Sequence, residues 1–362
     1  MNKKLLVTLM AMGLAGIAHA QTNVTIYGTV DTGLIKETGS DVRMGGNDDS
    51  LIGFKGTEDL GSGMKATFQL ERRFDLNNGV KFSGNNALDI LQGADPDGED
   101  GVEWQGAANV GLEGDVWGAV RLGRVNSILI ENFGELDPFA VTGVATALVG
   151  NNILYSEQLA NTIRYDSPSW AGFGFGASYT LGHETHGAEN RIYDDYGNDG
   201  FGIGLKYDNG PLMLTANYER LADSDESWLW NAGGAYTYQG FKVSVGYQST
   251  KVKSAAMNVL SGGDINADVD QKDWLVGLQY NTGPHTVKFS YNRGEVESHT
   301  EYDGKANKYS LGYTYDMSKR TSLYAMVAYT DSDNDSVGEI YNSNDVADDS
   351  VTGVQIGMTH RF

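Results

Sequence analysis

Ser350-Val351-Thr352-Gly353-Val354-Gln355-Ile356-Gly357-Met358-Thr359-His360-Arg361-Phe362, the last thirteen residues of the chain, read as one β-strand. Side chains of a strand alternate between its two faces, so Val354, Ile356, Met358, His360 and Phe362 share one side while Gln355, Gly357 and Thr359 share the other. The apolar side has no following segment to cover it. The stretch therefore predicts a strand that turns its apolar face to lipid, ends on an aromatic, and closes a barrel.

The other end of the chain agrees. Met1 to Ala20 carries Lys3 and Lys4, an apolar run from Leu5 to Ile17, and then Ala18-His19-Ala20, the form of a secretory signal cleaved after Ala20. Removing Lys3 and Lys4 takes the formal charge from −22 to −24. No later stretch approaches the roughly 18 consecutive apolar residues that a spanning helix needs. A membrane location must then be reached with strands, which satisfy their backbone groups by pairing in a closed ring.

Composition narrows the class. Forty-eight Gly, twenty Tyr and five Pro point to many strands joined by tight turns. Cysteine is absent, so ring closure and backbone pairing, not disulfides, must hold an exported chain of this length. The acidic balance argues against nucleic acid as a partner, because phosphate binding needs clustered Lys and Arg.

Connections alternate between short and long. Short ones fall at Leu60 to Gly63, Gly114 to Trp117, Pro168 to Ala171, Asp208 to Pro211, Gln239-Gly240, Asn281 to Pro284 and Asp316 to Arg320. Long acidic ones fall at Asn77 to Glu103, His183 to Asp199, Lys253 to Asp270 and Asp331 to Asp349. Between them apolar residues alternate with polar ones, as in Phe201, Ile203, Leu205 and Tyr207 against Gly202, Gly204 and Lys206. Aromatics sit near the ends of the apolar sets, where membrane interfaces place them. Seven short turns, a strand at Val24 to Lys36 and a strand at Val351 to Phe362 give about sixteen strands, enough for an aqueous lumen. A soluble sandwich could alternate in the same way, but the signal, the terminal Phe362 and the loop asymmetry favour the transmembrane antiparallel barrel.

Three segments carry a family resemblance. Val24-Thr25-Ile26-Tyr27-Gly28-Thr29-Val30-Asp31, the hairpin from Gly53-Phe54-Lys55-Gly56-Thr57-Glu58-Asp59-Leu60 through Gly61 to Glu71, and the ending Gly353 to Phe362 resemble the trimeric general-diffusion porins of Gram-negative outer membranes, in particular their neisserial-type group. That resemblance implies a homotrimer of sixteen-stranded barrels in contact with outer-membrane lipid and lipopolysaccharide. It implies a barrel-assembly signature at Met358, His360 and Phe362, read by the assembly machinery. It also implies a third long loop folded into the lumen, here Asn126 to Ala160, with Glu131, Glu135 and Asp137 set against arginines on the facing wall. No cofactor and no metal are implied.

Strict alternation then nominates the arginines. Arg121 lies between outward Val120 and Leu122, Arg164 between Ile163 and Tyr165, and Arg73 shares the polar face of Lys65, Thr67, Gln69 and Glu71. Arg124 would point to lipid unless a bulge at Gly123 shifts the register. Arg72 falls on the apolar face. Opposed acid and base across a narrow channel would create a transverse field that orients polar solutes.

Other motifs fail on their chemistry. His183-Glu184-Thr185-His186 lacks the i, i+4 spacing of a zinc-protease pair. Asp331-Ser332-Asp333-Asn334-Asp335 begins like a calcium loop, but Ser336 replaces the required glycine and Asn342 the bidentate Glu, which excludes an EF-hand and leaves open only loose divalent-ion binding that bridges lipopolysaccharide phosphates. Gly172-Phe173-Gly174-Phe175-Gly176 alternates as a strand and opens no βαβ unit. The leading reading is a passive channel for small hydrophilic solutes and ions. Alternatives are a substrate-selective channel, an outer-membrane enzyme, for which no nucleophile motif is present, and a surface adhesin using its acidic loops. Anion or cation preference stays open, with an acid-rich mouth opposed to lumen arginines.

Overall fold

The terminal strand pairs with the first. In the computed structural model, which describes residues 23–79, 103–140, 142–147, 152–154, 156–182, 198–223, 226–261, 265–298, 303–335, 337–338 and 349–362, β1 (Asn23–Glu37) is antiparallel to β17 (Ser350–Arg361). Their register runs from Thr29 opposite Arg361 to Glu37 opposite Gly353. Phe362 and Gly28 exchange backbone hydrogen bonds of 3.0 and 3.1 Å beyond the last pair. The signal-like segment, Tyr155, His183, His186, His299, Ser336 and Asn342 lie outside the described residues.

On its other side β1 pairs with two short pieces, β2 (Arg43–Gly45) at Gly33–Ile35 and β3 (Leu51–Gly61) at Asn23–Thr29. They are one stave interrupted at Gly46–Ser50, so seventeen strand segments make sixteen staves. The rest pair in chain order: β4 (Met64–Arg73), β5 (Ala108–Gly114), β6 (Gly118–Asn126), β7 (Gln158–Asp166), β8 (Phe173–Thr180), β9 (Gly200–Asn209), β10 (Leu212–Arg220), β11 (Trp228–Tyr238), β12 (Phe241–Val252), β13 (Val269–Thr282), β14 (His285–Glu297), β15 (Gly304–Asp316) and β16 (Thr321–Ser332). All seven short turns expected from the sequence join the strands they were read to join. A closed antiparallel ring leaves no free edge, the condition for crossing a bilayer with strands.

The sides of the wall separate as alternation requires. Val243, Val245, Val276, Leu278, Leu311, Ile356 and Met358 are exposed on the outer face. Two aromatic rows flank this aliphatic band from β9 to β16. One holds Trp230, Tyr247 and Trp274, with centroids 5.3 and 4.4 Å apart, and the other holds Phe241 and Tyr280 at 4.2 Å. Around β1 and β3–β6 the outer positions are different. Val24, Ile26, Leu34, Val110, Leu112 and Leu122 are exposed there, and the aromatic rings beside them are Phe68 over Gly56, Phe362 over Gly28 and Trp117 of the β5–β6 turn over Gly114.

Inward positions are mostly polar and linked across strands. Asn217 donates to Asn231 (2.8 Å), and Asn231 donates to Gln248 (3.1 Å). The lumen wall also has an apolar part that alternation did not suggest. Leu229, Val252, Val269 and Val296 point inward near the long-loop rim, where they pack with Leu129, Leu154 and Met257 of inserted loops. Inward apolar residues at strand tops are thus a floor for loops.

Candidate functional site: the inserted third loop

The connection from β6 to β7 enters the barrel through a short helix, α1 (Ile128–Gly134). Ser127 caps it, accepting from the Ile130 N–H (3.4 Å) and donating to the buried Glu219 carboxylate of β10 (2.9 Å). Ile128, Leu129 and Phe133 are buried on one side of the helix, and Glu131 is on the other. The loop therefore has an apolar underside and an acidic upper side.

The underside rests on glycines. A Cβ added at Gly246 would lie 2.6 Å from Phe133 Cζ, one at Gly277 2.8 Å from Pro138, and one at Gly312 2.5 Å from Phe139. Gly204 and Gly233 stand in the same way against Ile128 and Leu136, and Gly353 lies 3.2 Å from Val144. These inward glycines on β9, β11, β12, β13, β15 and β17 form a trough that follows the loop around the wall. Polar ties fix the seat: Ser244 donates to the Leu136 carbonyl (2.6 Å), Asn132 to Asn217 (2.8 Å), and the Val144 N–H to Gln355 (3.1 Å).

Of the loop carboxylates, Glu131 pairs with Arg164 at 2.6 Å and Glu135 pairs with Lys206 at 2.5 Å, while Lys242 donates to the Glu135 carbonyl (2.8 Å). Asp137 has a different place. Its buried carboxylate accepts from the Phe139 and Ala147 N–H groups, both at 3.0 Å, and so ties the loop to itself.

Arg121 and Arg164 stand opposite each other on β6 and β7 and share Asp166, each at 2.7 Å. Arg73 pairs with Asp49 (2.8 Å) and with Glu157. The β6–β7 register is irregular between Gly123 and Val125, and Gly123 has φ 125°. Arg124, beside it, is buried rather than turned to lipid, and its guanidinium donates to the carbonyls of Gln105 and Gly106. Arg72 stays on the outer side, paired with Glu103 at 3.0 Å.

Sequence reasoning missed Asp49, Glu157, Asp166, Lys206 and Glu219. Asp166 lies two residues from Arg164 on one strand, and that spacing was a usable signal. Asp49 and Glu157 sit in irregular segments, where alternation says nothing. Of the terminal signature, Met358 is outside, His360 contacts the Thr321 hydroxyl (2.9 Å), and Phe362 stacks its ring over Gly28.

A model of the Gram-negative porin family matches residues 7–335. An outer membrane porin protein of Bordetella pertussis is 30% identical over the full length of both chains. Major outer membrane protein P.IB of Neisseria meningitidis is 27% identical, covering 87% of this chain and 90% of that one. Among solved structures, the anion-selective porin from Comamonas acidovorans superposes with a TM-score of 0.74 at 25% identity, over 94% of this chain and all of the other. Barrel, inserted loop and sequence similarity agree, and the chain belongs to the Gram-negative porin family.

Proposed function

We propose that the mature chain, released after Ala20, forms a water-filled channel through the Gram-negative outer membrane for passive diffusion of small hydrophilic solutes and ions. The observation that carries this reading is the third loop. It lies along β9–β17 with its apolar side down, so it narrows the lumen from one side and leaves Glu131 beside Arg164 of β7 and Glu135 beside Lys206 of β9. Glu131, Glu135, Arg73, Arg121 and Arg164 form the constriction. Arg124 supports the backbone beside it, and Asp137 holds the loop's turn.

Charges at this level nearly balance. Arg73, Arg121, Arg164 and Lys206 each have a carboxylate within ion-pair distance, Lys242 donates to the Glu135 carbonyl, and paired charges give a weak net field for a passing ion. Weak ion selectivity follows. The Comamonas relative is anion-selective by its name, and the partial neutralisation of Arg73, Arg121 and Arg164 argues for a smaller preference here.

The outer face supports a homotrimer. Rows of Tyr and Trp suit a surface exposed to lipid headgroups, and their thinning around β1 and β3–β6, where Trp117 stands in the β5–β6 turn and aliphatic residues remain exposed, suits contact with other copies. A solute-size series in proteoliposomes tests the channel. Entry rates of neutral sugars and polyols should fall smoothly with size and show no saturation. Entry of one solute at rates far above others of its size would replace this reading with a selective channel.

A further inference from the structure

Between the tip of the third loop and the wall of β14–β17 there is a recess of about 170 Å³ that opens towards the short turns. Phe139, Lys288, Asp316, Ser322, Tyr324 and Arg361 line it. Such a space holds on the order of ten water-sized groups, the size of a small metabolite.

Its charges are not all matched. Arg361 is taken by Asp48 at 2.9 Å, and Tyr324 donates to Asp31 at 2.8 Å. The Lys288 ammonium lies 5.7 Å from the centre of the Phe139 ring, and among the described residues it has no direct ion pair, Asp137 and Asp316 acting on it from farther off. Asp316 accepts from the Ser322 hydroxyl (2.7 Å), and among the described residues no cation is in direct ion-pair contact with it. One positive and one negative group thus line the same recess without a direct ion pair between them, beside an aromatic face.

We propose that this recess is a resting site for a small zwitterion of amino-acid size on the short-turn side of the constriction. The ligand's carboxylate faces Lys288, its ammonium faces Asp316, and its carbon skeleton lies against Phe139. A simple anion would gain Lys288 but be repelled by Asp316, and an amine would meet the reverse. The site rests on the channel reading, since solute reaches it only through the lumen.

The test is competition in proteoliposomes holding the full-length mature protein. With labelled L-threonine at low concentration, a large excess of unlabelled L-threonine should lower the labelled entry rate at least twofold. Neither Lys288→Gln nor Asp316→Asn should show the effect, and labelled erythritol should enter at an unchanged rate in all three proteins. Threonine entry insensitive to competitor would overturn the proposal, as would competition that survives in both variants. Competition by lactate equal to that by threonine would overturn it in favour of a simple anion site. Absence of erythritol entry in the wild type would instead overturn the channel reading, and this site with it.

Discussion

Replacing Gly246 with alanine should push the third loop into the pore. The new methyl would lie 2.6 Å from Phe133 Cζ and 2.9 Å from Cε2. Carbon atoms in contact sit roughly 3.5–4.0 Å apart, so the ring must retreat by about 1 Å. Phe133 is 1% exposed and has the wall on one side, which leaves the lumen as the direction of retreat. Overpacking of this kind costs about 1–3 kcal/mol, and the cost falls on the loop's seat because alanine itself is acceptable in a strand. The helix that carries Phe133 also carries Glu131, so the displacement narrows the channel at its charged level. Single-channel conductance in planar bilayers should fall, while the barrel keeps its heat-modifiable mobility on gels. The double variant Gly246→Ala/Phe133→Leu should recover most of the loss, because the shorter side chain makes room. Gly174→Ala is the control: its nearest neighbour is 3.7 Å from the added methyl, and conductance should not change. Wild-type conductance in Gly246→Ala, or a loss that Phe133→Leu does not relieve, would refute the trough as the seat of the loop.

Arg164→Gln removes the partner of Glu131 and one of the two arginines on Asp166; with Glu131 41% exposed, the cost is set at roughly 1–3 kcal/mol, below that of a fully buried pair. Reversal potentials under a KCl gradient should move towards cation preference, and an unchanged potential would remove Arg164 from the constriction. Ser127→Ala takes away the cap of α1 and its tie to Glu219, worth about 1 kcal/mol, and should increase open-channel noise without altering folding yield. Leu112→Glu puts a charge on the aliphatic outer face, where Leu112 is 49% exposed, and should shift cross-linked trimers to monomers; Leu278→Glu, on the aromatic-bordered face, should leave cross-linking of folded protein intact.

The barrel was legible because its signals are local. Turn residues such as Asp208 to Pro211 and alternating sets such as Phe201 to Tyr207 each state their own structure, and sixteen staves follow from counting them. The break at Gly46–Ser50 was not legible, since that cluster reads as an ordinary loop and only pairing with β1 shows the strand resuming. Arg121 and Arg164 could be placed because regular strands carry them. The glycine trough could not: an inward glycine looks like empty lumen until the loop that needs its missing side chain is known. Asp137 shows the same limit from the loop side. Its neighbours Glu131 and Glu135 reach the wall, but their spacing does not reveal that Asp137 turns back to the N–H groups of Phe139 and Ala147.

The most direct test of a trimeric channel narrowed by a self-neutralising loop is planar-bilayer recording of the purified, refolded protein. Conductance should appear in steps of three, with a reversal potential close to zero under a KCl gradient. A correctly folded, heat-modifiable barrel that passes no current would contradict the account.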